Sequence, residues 1–112
     1  MNISKKMQDA FNTQIVAEMW SSNLYLQMSC WFRKEGWKGF SSWMYKQAEE
    51  ERQHAMDMAQ FVLHRGGEVI LTSIDAVKTS WTDAKEAFVD TFAHEQKVTE
   101  LINKLADVAD EE

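Results

Sequence analysis

Glu51 and His54 lie three residues apart in the strongly helical run Gln47-Ala48-Glu49-Glu50-Glu51-Arg52-Gln53-His54-Ala55-Met56-Asp57-Met58. Side chains three apart on a helix leave from neighbouring points of one face. A carboxylate and an imidazole placed so can grip one metal ion. A mixed oxygen and nitrogen donor set suits iron, manganese or zinc. Glu-x-x-His is short and common, and on its own it serves equally well as solvated surface. Its weight comes from further acids on apolar seams elsewhere, Glu18 and Glu95. One isolated carboxylate in a core is costly. Three together are untenable unless a cation compensates them.

The elements that must carry these residues are long helices. The chain has 112 residues, no proline and four glycines. That is enough for one domain, over 1–112, with a real core. Nothing in it interrupts a helix for long. Ser4 is a good N-cap for a first helix reaching about Lys34. Its inward stripe reads Phe11, Ile15, Glu18, Ser22, Tyr25, Ser29, Phe32. Glu35 to Gly39 is a tight turn, with Gly36 suited to the left-handed conformation that ends a helix. A second, antiparallel helix then runs from Phe40 or Ser41 to Arg65, stopped by Gly66. Its stripe is Met44, Ala48, Glu51, His54, Ala55, Met58, Val62, so Glu51 and His54 point inward. Glu49, Glu50 and Arg52 carry its exposed charge. Trp31, Trp37 and Trp43 should gather near the turn.

Residues 66 to 81 show no periodicity and form a long connection. Sixteen extended residues reach roughly 50 Å, and a 27-residue helix is roughly 40 Å long. The connection can therefore cross the whole bundle and start the third helix parallel to the second. Thr82 is the expected cap of that helix, which should reach about Ala109. Its stripe is Phe88, Thr91, Phe92, Glu95, Val98, Ile102, Leu105, Ala109, with His94 on the flank. Glu18, Glu51 and Glu95 each fall near the middle of their helix. Helices of similar length packed side by side keep their midpoints level. The three acids and His54 then share one layer.

The net charge is −6. This argues against nucleic acid or an anionic membrane surface as partner. No apolar run approaches the ~18 residues of a membrane span. Cys30 is the only cysteine, and no apolar signal segment opens the chain. A cytoplasmic setting is the expectation.

The runs Gln14-Ile15-Val16-Ala17-Glu18, Ser21-Ser22-Asn23-Leu24-Tyr25-Leu26-Gln27-Met28-Ser29, Glu50-Glu51-Arg52-Gln53-His54 and His94-Glu95-Gln96-Lys97-Val98-Thr99 resemble the non-haem ferritins of bacteria. The resemblance covers essentially the whole chain. It implies an all-α, ferritin-like four-helix-bundle topology, of which three long helices are present here. It also implies iron storage. In that family Fe²⁺ is oxidised by O₂ or peroxide at a di-iron ferroxidase centre, and ferric mineral is kept in a homo-oligomeric cage of 24 subunits. Carried over by position, Glu18, Glu51 and His54 match the ligands of the first iron, with Glu51 bridging. Glu95 matches a ligand of the second iron, Tyr25 the tyrosine beside the centre, and Glu50 a ligand of an accessory third iron.

Such proteins continue into a fourth long helix and a short fifth, which hold the remaining second-iron and third-iron groups. This sequence stops near the end of the third, so the expected domain is C-terminally incomplete. The haem-binding relatives place a methionine at the second position of Glu-x-x-His. Arg52 stands there instead, so haem is not expected. The DNA-protecting relatives often carry basic tails, whereas Lys5 and Lys6 are the only basic residues near this N-terminus. Another di-iron carboxylate protein, or a metal-free helical module that docks a partner helix, are the alternatives.

Overall fold

The computed structural model describes residues 2–111. Three helices make up its regular structure: α1 (Lys5–Lys34), α2 (Lys38–His64) and α3 (Ala84–Glu111). They lie along one another in a body 51 × 22 × 21 Å. Ser4 caps α1 as expected, its hydroxyl oxygen accepting from the Met7 amide at 3.1 Å. Gly36 (φ +91°) and Gly66 (φ +75°) occupy the left-handed region. They end α1 and α2 where the sequence places their stops, because a side chain is strained in that conformation.

α2 begins two to three residues earlier than expected. The turn closes by backbone bonds from Glu35 N to Trp31 O and from Trp37 N to Phe32 O. Trp37 then stands at the N-cap with no side-chain cap, so no capping signal marks this start. The expected tryptophan cluster is only partly present. Trp31 packs on Phe32 and Trp81, whereas Trp37 and Trp43 are each 49% exposed.

Serines set the register of α1 against α2. Ser29 Oγ donates to Ser41 O at 2.7 Å and Ser41 Oγ donates back to Ser29 O at 2.8 Å. About two turns away, Ser22 Oγ donates to Ala48 O at 2.8 Å. Small hydroxyl side chains let the two backbones approach while keeping their polar atoms satisfied. Around them Tyr25, Met28, Phe32, Met44 and Ala48 form a buried core.

The connection after α2 crosses the length of the hairpin, pinned to α1 at its start and packed at its end. Asn12 donates to Glu68 O and accepts from Ile70 N, both at 3.0 Å, and Gln8 accepts from Glu68 N. At the far end Trp81 is buried against Trp31. Its indole N–H donates to Asp90, whose carboxylate also meets Lys78. α3 therefore starts beside Phe32 and Phe40 and runs antiparallel to α1 and parallel to α2, as expected. Its cap is Asp83 rather than Thr82: Asp83 Oδ1 accepts from the Glu86 amide, while the Glu86 carboxylate accepts from Thr82. The pattern is close to a capping box, with the return bond coming from Thr82, the residue before the cap.

α3 lies against α1. No described α3 Cα comes within 8 Å of one in α2. Ala87, Thr91 and Val98 are buried, with His94 partly so, whereas Phe92 is 68% and Ile102 46% exposed. The expected stripe is thus divided. Half of it meets α1 and half faces an open side.

Candidate metal centre

Glu18 lies mid-way along α1, on the face that the serines press against α2. Glu51 and His54 sit one turn apart on α2 at the same level. One ligand atom from each of Glu18, Glu51 and His54 lies within 4.8 Å of the others. His54 Nδ1 is 3.8 Å from Glu18 Oε2 and 3.7 Å from Glu51 Oε2. Glu18 and Glu51 are buried, yet Oε2 of each has no hydrogen-bond partner. Unpartnered buried carboxylate oxygens are rare because desolvation is costly. Burial, together with the adjoining Glu18 carboxyl, pushes the Glu51 carboxyl up to about 9, with Glu95 and Glu50 adding to it. Without a cation, this group keeps a proton that it would lose in water. Two oxygens and an imidazole nitrogen with no other partner fit a divalent transition metal.

His54 corrects one expectation. Its side chain is 55% exposed rather than turned into the core, while its Nδ1 still reaches both carboxylates. Glu95 is also exposed and stands outside the 4.8 Å group. The Tyr25 hydroxyl donates to it. Burial of the ring, and then that bond to Glu95, raise the Tyr25 hydroxyl well above its ordinary value, so it remains a proton donor at neutral pH. Glu50 is exposed on the solvent side of α2.

Two residues to which the sequence reading gave no site role belong here. Gln14 donates to Glu18 Oε1 at 3.0 Å and fixes that carboxylate's rotation. The visible signal was its place four residues before Glu18 on one helix face. His94, read as a flank residue, packs on α1 against Trp20 and Tyr25. Burial holds its imidazole below the ordinary histidine value. Beside it, a cavity of about 420 Å³ between α1, the connection and α3 is lined by Gln14, Glu18, Trp20, Asp75, His94 and Leu101 among others.

Residues 8–112 match the Ferritin-like domain family. The chain is a member of the ferritin family. It is 50% identical over 107 residues to a bacterial non-heme ferritin of Bacteroides fragilis, covering 96% of this chain and 67% of that one. A bacterial non-heme ferritin of Staphylococcus saprophyticus is 31% identical over 110 residues, 98% of this chain and 66% of its own length. Among solved structures, the open pore ferritin of Archaeoglobus fulgidus superposes with a TM-score of 0.95 at 43% identity, over 98% of this chain and 68% of that ferritin. This ferritin chain thus spans about two thirds of the length of those relatives. Among its described residues no helix is long and apolar enough to cross a membrane.

Proposed function

We propose that this ferritin chain takes up Fe²⁺ as substrate and oxidises it at the Glu18–Glu51–His54 centre, within a homo-oligomer that stores the ferric product. The observation that carries this reading is the pair of buried, unpartnered carboxylate oxygens facing one imidazole. Glu18, Glu51 and His54 hold a first Fe²⁺. Glu51 is shared with a second, weaker position completed on this chain by Glu95, about 3.5–4 Å from the first as two-metal sites generally are. Glu50 is the candidate for an accessory position at the rim. Two ferrous ions together supply the two electrons that reduce O₂ to peroxide or peroxide to water.

The chain's own groups hold the geometry. Gln14 steadies Glu18, and Tyr25 orients Glu95. Binding the cation displaces the proton kept at Glu51.

Anaerobic titration with Co²⁺, followed by calorimetry and visible absorption, tests the reading. One tight and one weaker equivalent per chain are expected, with slow oxidation when Fe²⁺ and O₂ replace Co²⁺. Absence of stoichiometric binding would overturn the reading in favour of a metal-free helical module.

A further inference from the structure

Beside the Tyr25–Glu95 bond, a second polar contact joins α3 to α1 through His94. Ser21 Oγ and His94 Nε2 are 2.7 Å apart. Ser21 is buried, and its hydroxyl also lies 3.0 Å from the Ala17 carbonyl. A hydroxyl has one proton to give and two lone pairs to accept with, so the imidazole tautomer sets which group donates in the Ser21–His94 bond. The ring is also bracketed by Trp20, at 5.2 Å between centroids, and by the edge of Tyr25, at 5.6 Å and 75°.

These contacts are directional; elsewhere on the seam Thr91 Oγ1 makes a weaker contact to the Met28 sulfur at 3.3 Å. Val98 and Ala87 fill space, and apolar burial alone tolerates a small rotation of one helix on another. Each residue along a helix turns it by about 100°, so a modest roll of α3 swings Glu95 away from Tyr25. α2 does little to stop such a roll: among the described residues no α3 Cα comes within 8 Å of it, and Phe40 meets Phe88 only at the start of α3. Tyr25 touches both partners of the junction: its ring meets His94 and its hydroxyl donates to Glu95.

We infer that His94 and Ser21 are positioning residues for Glu95: their hydrogen bond sets the rotation of α3, so that Glu95 is held at the Tyr25 hydroxyl and presented to the second cation. This rests on the two-cation reading above and deepens it. It separates the tight position, built on α1 and α2, from the weaker one, whose geometry depends on a bond outside the ligand set.

The test uses Ser21→Ala, His94→Leu and His94→Gln beside wild type, with helix content checked by circular dichroism. In anaerobic Co²⁺ titration, Ser21→Ala and His94→Leu should weaken the second equivalent by about tenfold or more and leave the first within about twofold. His94→Gln, whose amide nitrogen can reach Ser21, should recover most of the loss. An unchanged second equivalent, an equal loss at both positions, or glutamine performing no better than leucine would each overturn the inference. A second readout needs no metal. The ¹³Cζ resonance of Tyr25, identified by its loss in Tyr25→Phe, reports the bond to Glu95. It should move in Ser21→Ala and His94→Leu toward its position in Glu95→Ala. If wild type binds no Co²⁺ but this resonance moves, the positioning role stands and the two-cation reading fails. If the resonance stays put, the positioning role fails.

Discussion

The two sides of α1 are built differently. Toward α2, three serine hydroxyls reach across to backbone carbonyls. The aromatic core closes over them, and two of the three clustered ligands come from the partner helix. Toward α3, the seam is narrow, the Ser21–His94 and Tyr25–Glu95 bonds supply the directional contacts near the carboxylates, and half the apolar stripe is left exposed. The first side fixes position by many short backbone-level contacts. The second fixes it by a few side chains and by a pinned connection. A tight first site and a weaker second one are what that difference would produce.

The contrast can be broken most forcefully in the core. Phe32 is fully buried and its ring meets Trp31, Phe40 and Phe88. Phe32→Ala should cost about 3–5 kcal/mol in urea unfolding. Phe92→Ala, on the open face, should cost well under about 1 kcal/mol. Comparable costs would mean that the open face is covered in solution.

At the centre, Glu51→Ala should weaken both metal positions, the tight one by about 100-fold or more, or roughly 2.7 kcal/mol. Calorimetric titration reads this directly. Retention of tight binding would remove Glu51 from its shared role.

The metal-free protein should lose stability as pH rises from about 5 to 9. The Glu51 carboxyl is pushed above its unfolded value by burial and by Glu18. The folded state therefore binds the extra proton, and raising pH favours unfolding. A fall in Tm on the order of 5 °C is expected over that window. Saturating Zn²⁺ should flatten the dependence, and Glu51→Gln should remove it in the metal-free state. A Tm that rises with pH would contradict the assignment.

Smallest is the expected effect of Glu95→Ala on the tight position, within about twofold, with the loss confined to the second equivalent. Abolition of tight binding by this change would erase the distinction between the two sides.

The hairpin was legible in the sequence because its punctuation is local. Ser4, Gly36 and Gly66 each act on their own turn of chain, and the absence of proline leaves the helices between them intact. The crossing connection was legible from its length, and with it the direction of α3. The start of α2 was hidden, because backbone bonds rather than a capping side chain define it. The exposure of His54 and the burial of His94 were hidden for one shared reason. An apolar stripe gives a helix's preferred faces but not which neighbour each will meet. On α3 only one such face meets α1, so Phe92 and Ile102, read as part of the stripe, are exposed, while His94, read as flank, packs on Trp20 and Tyr25. The Gln14 bond to Glu18 obeys a spacing rule that many harmless pairs also obey.

The pinned connection has a further consequence for which changes of length the chain can absorb. α1 carries the extended contacts to both other helices, so it serves as their common ruler. One residue inserted between Glu18 and Tyr25 would turn one half of α1 by about 100° against the other, leaving Glu18 and Tyr25 on different faces. The same residue inserted at 72–76, between the Asn12 clamp and the Trp81 anchor, only lengthens a connection already held at both ends, for a small entropic cost. Far-UV dichroism and Co²⁺ titration of the two insertions should therefore diverge. Helix content would persist in both, and the cation sites would survive only where the added residue lies in the strap.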